Sequence, residues 1–205
     1  MKTQQDWNGG NMYATLGASN HSTQPRVLHD FYATPPATVD ALLPYLNLEP
    51  GTIIYEPCCG MGHVAKVLSN HGYQVIAEDL YDYGFGISGK NFLQQDSMPE
   101  GATAIITNFP YAQVTDFTLH ALDLLRTTTN GILCSFVKTT FIEGQGRYNS
   151  IFKQTPPSRI LQFVKRQGCG RNGVFSIGES SAVAYAWFVW EAPFVNESPR
   201  VYWVE

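Results

Sequence analysis

The chain has 205 residues, 44% of them hydrophobic, which suffices for one domain with a buried core and falls short of two full-sized ones. A formal net charge of -4 excludes a protein that coats nucleic acid indiscriminately, and the four cysteines, with Cys58 and Cys59 adjacent and Cys134 and Cys169 alone, form neither a zinc-ligand spacing nor a disulfide framework. No apolar run approaches a membrane span and the polar first thirty residues hold no signal-peptide core, so a soluble, cytoplasmic protein is expected.

Residues 1–27 show little periodicity and many loop formers, and read as an arm ahead of one domain over 28–205. Residues 34–46 predict a capped helix with proline in its first turn and Val39, Leu42, Leu43 and Leu46 on one face, ending near Pro44. An apolar strand over 52–55, a glycine turn, a helix over 63–70 and a strand over 74–77 that ends in acids make a βαβ unit. A strand over 104–107, a helix over 114–125, a strand over 131–137, a short helix around 147–153 and a strand over 159–164 continue the alternation. The last apolar run, 182–190, follows a Gly/Ser-rich stretch over 168–181 with no helix between, which implies a long hairpin and an antiparallel strand. An α/β fold follows, with a mostly parallel sheet covered by helices.

Charge is distributed unevenly along this pattern. Residues 31–125 hold ten acids and two bases, whereas 126–171 hold one acid, Glu143, against Arg126, Lys138, Arg147, Lys153, Arg159, Lys165, Arg166 and Arg171. Any one of these cations is ordinary surface charge as readily as a ligand contact; the cluster suits phosphate contacts.

The run Glu56-Pro57-Cys58-Cys59-Gly60-Met61-Gly62 stands where the first strand hands over to the first helix, the place where an open α/β sheet binds its ligand. Glycines there let backbone approach a ligand. The third glycine of the dinucleotide fingerprint is missing, no Gly-Lys-Ser/Thr follows, and an acid precedes the turn, which suits the amino group of a zwitterion better than a phosphate. Together with Ala65 and Leu68 on the helix, this run resembles motif I of class I methyltransferases, and Thr34-Pro35-Pro36 resembles their motif X. The resemblance implies a Rossmann-like fold, with a mostly parallel seven-stranded sheet, an antiparallel last strand and helices on both faces. It implies S-adenosyl-L-methionine as cofactor, with Thr34 and Pro35 at its methionine end and the Glu56, Pro57, Cys58, Gly60 and Gly62 turn beneath it. Asp79, with Leu80 beside it, would bind the ribose hydroxyls, Glu78 being the alternative. The Asp-Phe-Leu of close relatives, which binds the cofactor's adenine amino group, here reads Asn91-Phe92-Leu93; Asn91 still offers a carbonyl oxygen, and Asp96 is the alternative.

Asn108-Phe109-Pro110-Tyr111, at the end of the next strand, is similar to the Asn/Asp-Pro-Pro-Tyr/Phe of amino-group methyltransferases and departs from it at Phe109. An exocyclic base amine is a poor nucleophile because its lone pair is delocalised into the ring. A site therefore needs two acceptors for its N–H bonds, here the Asn108 oxygen and the Phe109 carbonyl, while Tyr111 stacks on the base. Phe109 is expected to add bulk near that base and to alter preference or mark lost activity. Residues 138–148 are similar to the later part of small phage and prophage members. The resemblance, over about 31–190, implies transfer of a methyl group to a DNA base amine, adenine N6 before cytosine N4, on duplex DNA with a flipped base or on single strands. No metal is implied. With no room for a separate target-recognition domain, loops 138–150 and 165–180 would contact DNA, through Lys138, Arg147, Lys165, Arg166 and Arg171 on phosphates and Phe141 or Phe175 near the base. Two rivals stand beside this reading: glutamine-amide methyltransferases, which share an Asn-Pro-Pro-Tyr motif, and a non-catalytic cofactor- or DNA-binding protein.

Overall fold

A chain alternating apolar runs with amphipathic helices must bury both faces of its sheet, and this one does so with helical layers above and below. The computed structural model describes residues 31–171, 173, 175 and 183–205, with the side chain of Arg171 left out. The expected arm, 1–27, lies outside the described residues. In chain order the elements are β1 (Tyr32–Ala33), α1 (Pro36–Leu42), β2 (Ile53–Glu56), α2 (His63–Asn70), β3 (Gln74–Ala77), β4 (Ala102–Thr107), α3 (Val114–Leu125), β5 (Ile132–Lys138), α4 (Gln145–Arg147, running on as a π-turn over Tyr148–Phe152), β6 (Arg159–Phe163), β7 (Gly170–Arg171), β8 (Tyr185–Glu191) and β9 (Arg200–Val204). The helix expected over 34–46 is α1 continued by a 3-10 turn, Leu43–Tyr45. Pro44 brings no N–H to an α-helical hydrogen bond, so the tighter turn ends the helix there.

Seven strands form the main sheet in the order β3-β2-β4-β5-β8-β6-β9. Only β8 is antiparallel to its neighbours, β5 and β6; β9 runs parallel to β6. The antiparallel strand reached by a long hairpin is thus as expected, and it inserts between β5 and β6. The strand β9 beyond it was not among the expected elements. A second ladder of two residues pairs β1 with β7, joining Tyr32 to Arg171 and Ala33 to Gly170 across the chain.

Strand alternation divides the core in two. Ile54, Ala104, Ile106, Cys134, Phe136 and Trp187 face Val39 and Leu42 of α1 and Val64 and Leu68 of α2. Tyr55, Ile105, Leu133, Phe188 and Trp190 face Phe117, Ala121 and Leu125 of α3. The two fully enclosed indoles find acceptors, Trp187 donating to the Thr38 carbonyl at 2.8 Å and Trp190 to that of Thr155 at 3.0 Å, so neither leaves a buried polar atom unpaired. The chain leaves β2 toward β3 on one side and returns to β4 on the other. The carboxyl ends of β2 and β4 therefore flank a topological switch point, where such a sheet opens a crevice.

Candidate active site

The crevice is a cavity of about 340 Å³, a volume in the range of small-molecule sites. Strand ends supply its chemistry: Glu56 closes β2, Asp79 follows β3 and Asn108 follows β4, and all three line it. Thr34, Pro57, Cys58, Leu80, Asn91, Phe92, Phe109, Pro110 and Tyr111 line it as well.

The turn after β2 is spent on the protein itself. Cys59 N–H donates to the Glu78 carbonyl at 2.9 Å and Gly62 N–H to the Cys59 carbonyl at 2.8 Å. Gly60 N–H donates to Asp79 Oδ2 at 2.9 Å. A phosphate cradle needs such amides free and converging on an anion, and these three are not. Cys58 and Cys59 border the cavity, whereas Gly60 and Gly62 beside them do not. Their φ values are +50° and +77°, and a Cβ on them would lie 2.2 Å from the Phe31 ring and 2.4 Å from the Phe85 ring. Glycine is required there for the left-handed backbone and for two aromatic rings lying on the turn.

Asp79 is buried, accepts from Gly60 and from the Tyr81 N–H at 2.9 Å, and borders the cavity. Glu78 is turned the other way, its Oε2 accepting from the Tyr55 hydroxyl at 2.9 Å and from Gln95 at 2.7 Å, and it does not border the cavity. Asn91 Oδ1 accepts from the Leu93 N–H at 3.2 Å and so caps the turn carrying Phe92; Asp96 is not in the cavity wall. Pro35 also stands back from the wall, serving as the N-cap of α1, with its carbonyl accepting from the Thr38 hydroxyl at 2.7 Å.

Two buried acceptors at this cavity lack partners among the described residues: Glu56 Oε2 and Asn108 Oδ1. Burial pushes the Glu56 carboxyl well above the usual carboxylate range, and the charge of Asp79 adds to this against an opposing backbone hydrogen bond at Ala65. Asn108 donates through Nδ2 to the Tyr32 carbonyl at 2.8 Å. Because a carbonyl accepts only, that bond fixes which end of the amide is nitrogen and leaves the oxygen as the available acceptor.

Several other expectations are corrected by the packing. Phe109 is 1% exposed and its ring packs against Phe92 at 5.6 Å and Phe117 at 5.4 Å, because alternation carries it to the same face as Ile105. It forms a floor of the cavity and does not crowd a base. Phe141 lies in the core against Phe152 and Phe188, so it is not beside a base, and Phe175 packs edge-on to His63. Arg147 donates to the carbonyls of Phe141 at 2.7 Å and Thr140 at 3.2 Å, which ties its guanidinium into the 139–147 loop. The eight cations do not share one face. Arg126 and Arg159 sit at the amino-terminal edge of the sheet, away from the cavity, paired with Asp123 at 3.1 Å and with Glu191. Lys138, at the end of β5, holds its ammonium 5.0 Å from the centre of the Tyr111 ring. Lys165 and Arg166 are exposed just beyond β6, at the cavity end, and Arg171 enters β7. The aromatics Phe31, Tyr32, Tyr81 and Tyr83, which also border the cavity, were missed in the sequence; their only local signal is a high density of rings.

No protein-family model and no curated protein matches the chain. Among solved structures it is similar to a modification subunit assigned to a type I restriction enzyme from Vibrio vulnificus YJ016, at 14% identity and a TM-score of 0.53, covering 93% of this chain and 50% of that one. The chain thus spans about half the length of that subunit. A protein from Listeria monocytogenes assigned as a class I S-adenosylmethionine-dependent methyltransferase aligns at 13% identity and a TM-score of 0.57, over 93% of this chain and 70% of the other. One from Pyrococcus horikoshii assigned as an RNA methyltransferase aligns at 14% identity and a TM-score of 0.58, over 87% and 95%. The architecture is the Rossmann-like fold of class I methyltransferases. No group of residues suited to a metal ion occurs among the described residues, and no helix there is long and apolar enough to cross a membrane.

Proposed function

We propose that this chain is an S-adenosylmethionine-dependent methyltransferase acting on an exocyclic amino nitrogen of a DNA base, adenine N6 before cytosine N4. The observation that carries the reading is the orphaned Asn108 Oδ1, buried in the cavity wall at the end of β4 and held by the Asn108–Tyr32 hydrogen bond. A buried acceptor without a donor is costly, and a ligand amine relieves it.

The donor set fits the cofactor. Glu56 Oε2 is a buried acceptor without a partner among the described residues, suited to the cofactor's ammonium; Asp79 is a carboxylate suited to its ribose hydroxyls; Asn91 and Phe92 border the same cavity; and the Cys59, Gly60 and Gly62 amides are bonded within the protein. When bound, the cofactor supplies a sulfonium-activated methyl group. The protein's part is to present the amine to it. Asn108 Oδ1 accepts one N–H and the Phe109 carbonyl is the second acceptor of the motif, which turns the nitrogen lone pair toward the methyl without a strong base. Tyr111 offers the ring on which a base stacks, and burial beside Cys169 and Tyr185 pushes its phenol far up, so it stays neutral. The resemblance of Asn108-Phe109-Pro110-Tyr111 to the motif of amino-group DNA methyltransferases favours DNA, and the restriction-modification neighbour is compatible with it. The departure at Phe109 does not argue for a decayed site, because its ring is absorbed by the core.

The test is transfer of tritiated methyl groups to DNA, RNA and protein in parallel, with wild type and Asn108→Ala. DNA labelling is expected for wild type. The variant should lose about 10²–10³-fold in rate, with cofactor affinity within twofold. Wild-type labelling confined to protein would move the assignment to amide methylation, and an Asn108→Ala enzyme at the wild-type rate would remove the mechanism.

A further inference from the structure

We propose that Tyr32 is the second wall of a slot for the reacting ring, so that a planar heteroaromatic amine is held between Tyr32 and Tyr111 with Asn108 Oδ1 at its edge. This rests on the methyl-transfer reading of the cavity and narrows its substrate to a nucleobase-like ring.

Tyr32, Asn108 and Tyr111 all line the same cavity. The Tyr32 and Tyr111 rings are 5.4 Å apart at 31°, a wedge with its components built differently on the two sides. Tyr111 is fixed: its hydroxyl lies 3.5 Å from Cys169 Sγ, the Lys138 ammonium is 5.0 Å from its ring centre, and the Tyr185 ring is 6.0 Å away. Tyr32 is lightly held, in a two-residue strand whose ladder partner is the equally short β7. Its carbonyl nevertheless takes the Asn108 Nδ2 hydrogen bond at 2.8 Å. One residue therefore sets the orientation of the amine acceptor and carries a ring beside it, so that acceptor and slot share a single reference point.

A ring stacked between two others needs them about 7 Å apart, twice the optimal carbon contact distance. The Tyr32 and Tyr111 ring centres are closer than that, so admitting a base requires the Tyr32 ring to swing outward. Rotation of the Tyr32 side chain moves its ring while the Tyr32 carbonyl keeps the Asn108 hydrogen bond, whereas Tyr111 is anchored on several sides; the moving wall is the Tyr32 ring. Such a slot discriminates by shape. A nucleobase fills it from both faces, while a glutamine amide presents too small a plane to touch both rings.

The experiment uses the full chain with Tyr32→Ala and Tyr32→Phe, and reads three quantities: KM for heat-denatured DNA in methyl transfer, cofactor affinity by calorimetry, and saturation-transfer NMR on deoxyadenosine and deoxycytidine, which needs no turnover. Tyr32→Ala is expected to raise KM about 10-fold, to leave cofactor affinity within twofold and to lose saturation of the base protons; Tyr32→Phe should restore all three. An unchanged KM in Tyr32→Ala overturns the slot, and a lowered one overturns it too, because Tyr32 would then be a plug. Absence of base saturation in wild type also overturns it. Wild type that transfers nothing to nucleic acid, yet shows base saturation that depends on Tyr32, leaves the slot standing and overturns the methyl-transfer reading alone.

Discussion

Glu56 and Asp79 share one cavity wall, and the water that would solvate their charges is largely excluded. Burial raises Glu56 first and the charge of Asp79 adds to it, so without a ligand the folded protein holds a proton there that the unfolded chain releases at the ordinary carboxylate value. The sign follows: between that ordinary value and the raised one the native state binds more protons, so stability falls as pH rises through this window. A cationic α-ammonium beside Glu56 Oε2 reverses the balance by favouring the carboxylate. Cofactor binding should therefore release protons and tighten as pH rises above the ordinary carboxylate value, below the range where an α-amino group itself titrates, at about 7.7–8.0. Calorimetry in two buffers of different ionisation enthalpy measures the release. Glu56→Gln should bind more weakly, with no proton release and a flatter stability profile over the same range. Proton release that persists in the glutamine variant would assign the titration to another group.

At the scale of elements, Phe109 shows how a motif position is answered by packing. Its ring joins β4 to α3 through Phe117 and to the turn of Phe92, which is itself edge-on to His120 at 4.9 Å. Replacing it by proline, the residue the motif resemblance expects, removes most of a buried ring and leaves a cavity. Phe109→Pro should cost about 2–4 kcal/mol, below the full cost of truncating a buried phenylalanine, and lower the thermal midpoint while the Phe109 carbonyl stays available. A proline variant as stable as wild type would mean that the aromatic cluster contributes little. The elements themselves were unevenly legible. Strands β2 to β6 could be read as apolar runs bounded by turn residues, and helix α3 by an apolar face recurring at the helical period over twelve residues. Strand β9 could not: Val201 and Trp203 are exposed while Tyr202 is half-buried and Val204 buried, so both sets are apolar and no period of two appears. Glu56, Asp79 and Asn108 could be singled out because polar residues at the ends of apolar strands stand out by type. Phe31, Tyr32 and Phe85 could not, because what defines them is contact with a turn far away in sequence, and no local pattern encodes that.

Across the whole molecule the charges sort by end of the sheet. Acids cluster where β2 and β3 finish, beneath the cavity. The run of cations after residue 125 is divided between the cavity end, with Lys138, Lys165 and Arg166, and the opposite edge, with Arg126 and Arg159 paired to acids. On the proposed function, nucleic acid reaching the cavity would pass the first group and not the second. Each phosphate neutralised adds about 0.9 to the salt slope on duplex and about 0.7 on single strands. Neutralising Lys165 and Arg166 together should flatten the slope by roughly 1.4–1.8 and weaken binding at low salt, with cofactor affinity unchanged. Arg126→Ala is the control at the far edge, and its slope should match wild type. Fluorescence anisotropy with one labelled oligonucleotide, in duplex and single-stranded form and at several salt concentrations, measures all three proteins. An equal drop from Arg126→Ala would show that the nucleic acid follows the whole basic run along the chain, and the approach over the cavity end would be wrong. An unchanged slope in the Lys165 and Arg166 variant would turn the search for the phosphate contacts to Lys138 beside Tyr111 and to Lys90, which lines the cavity.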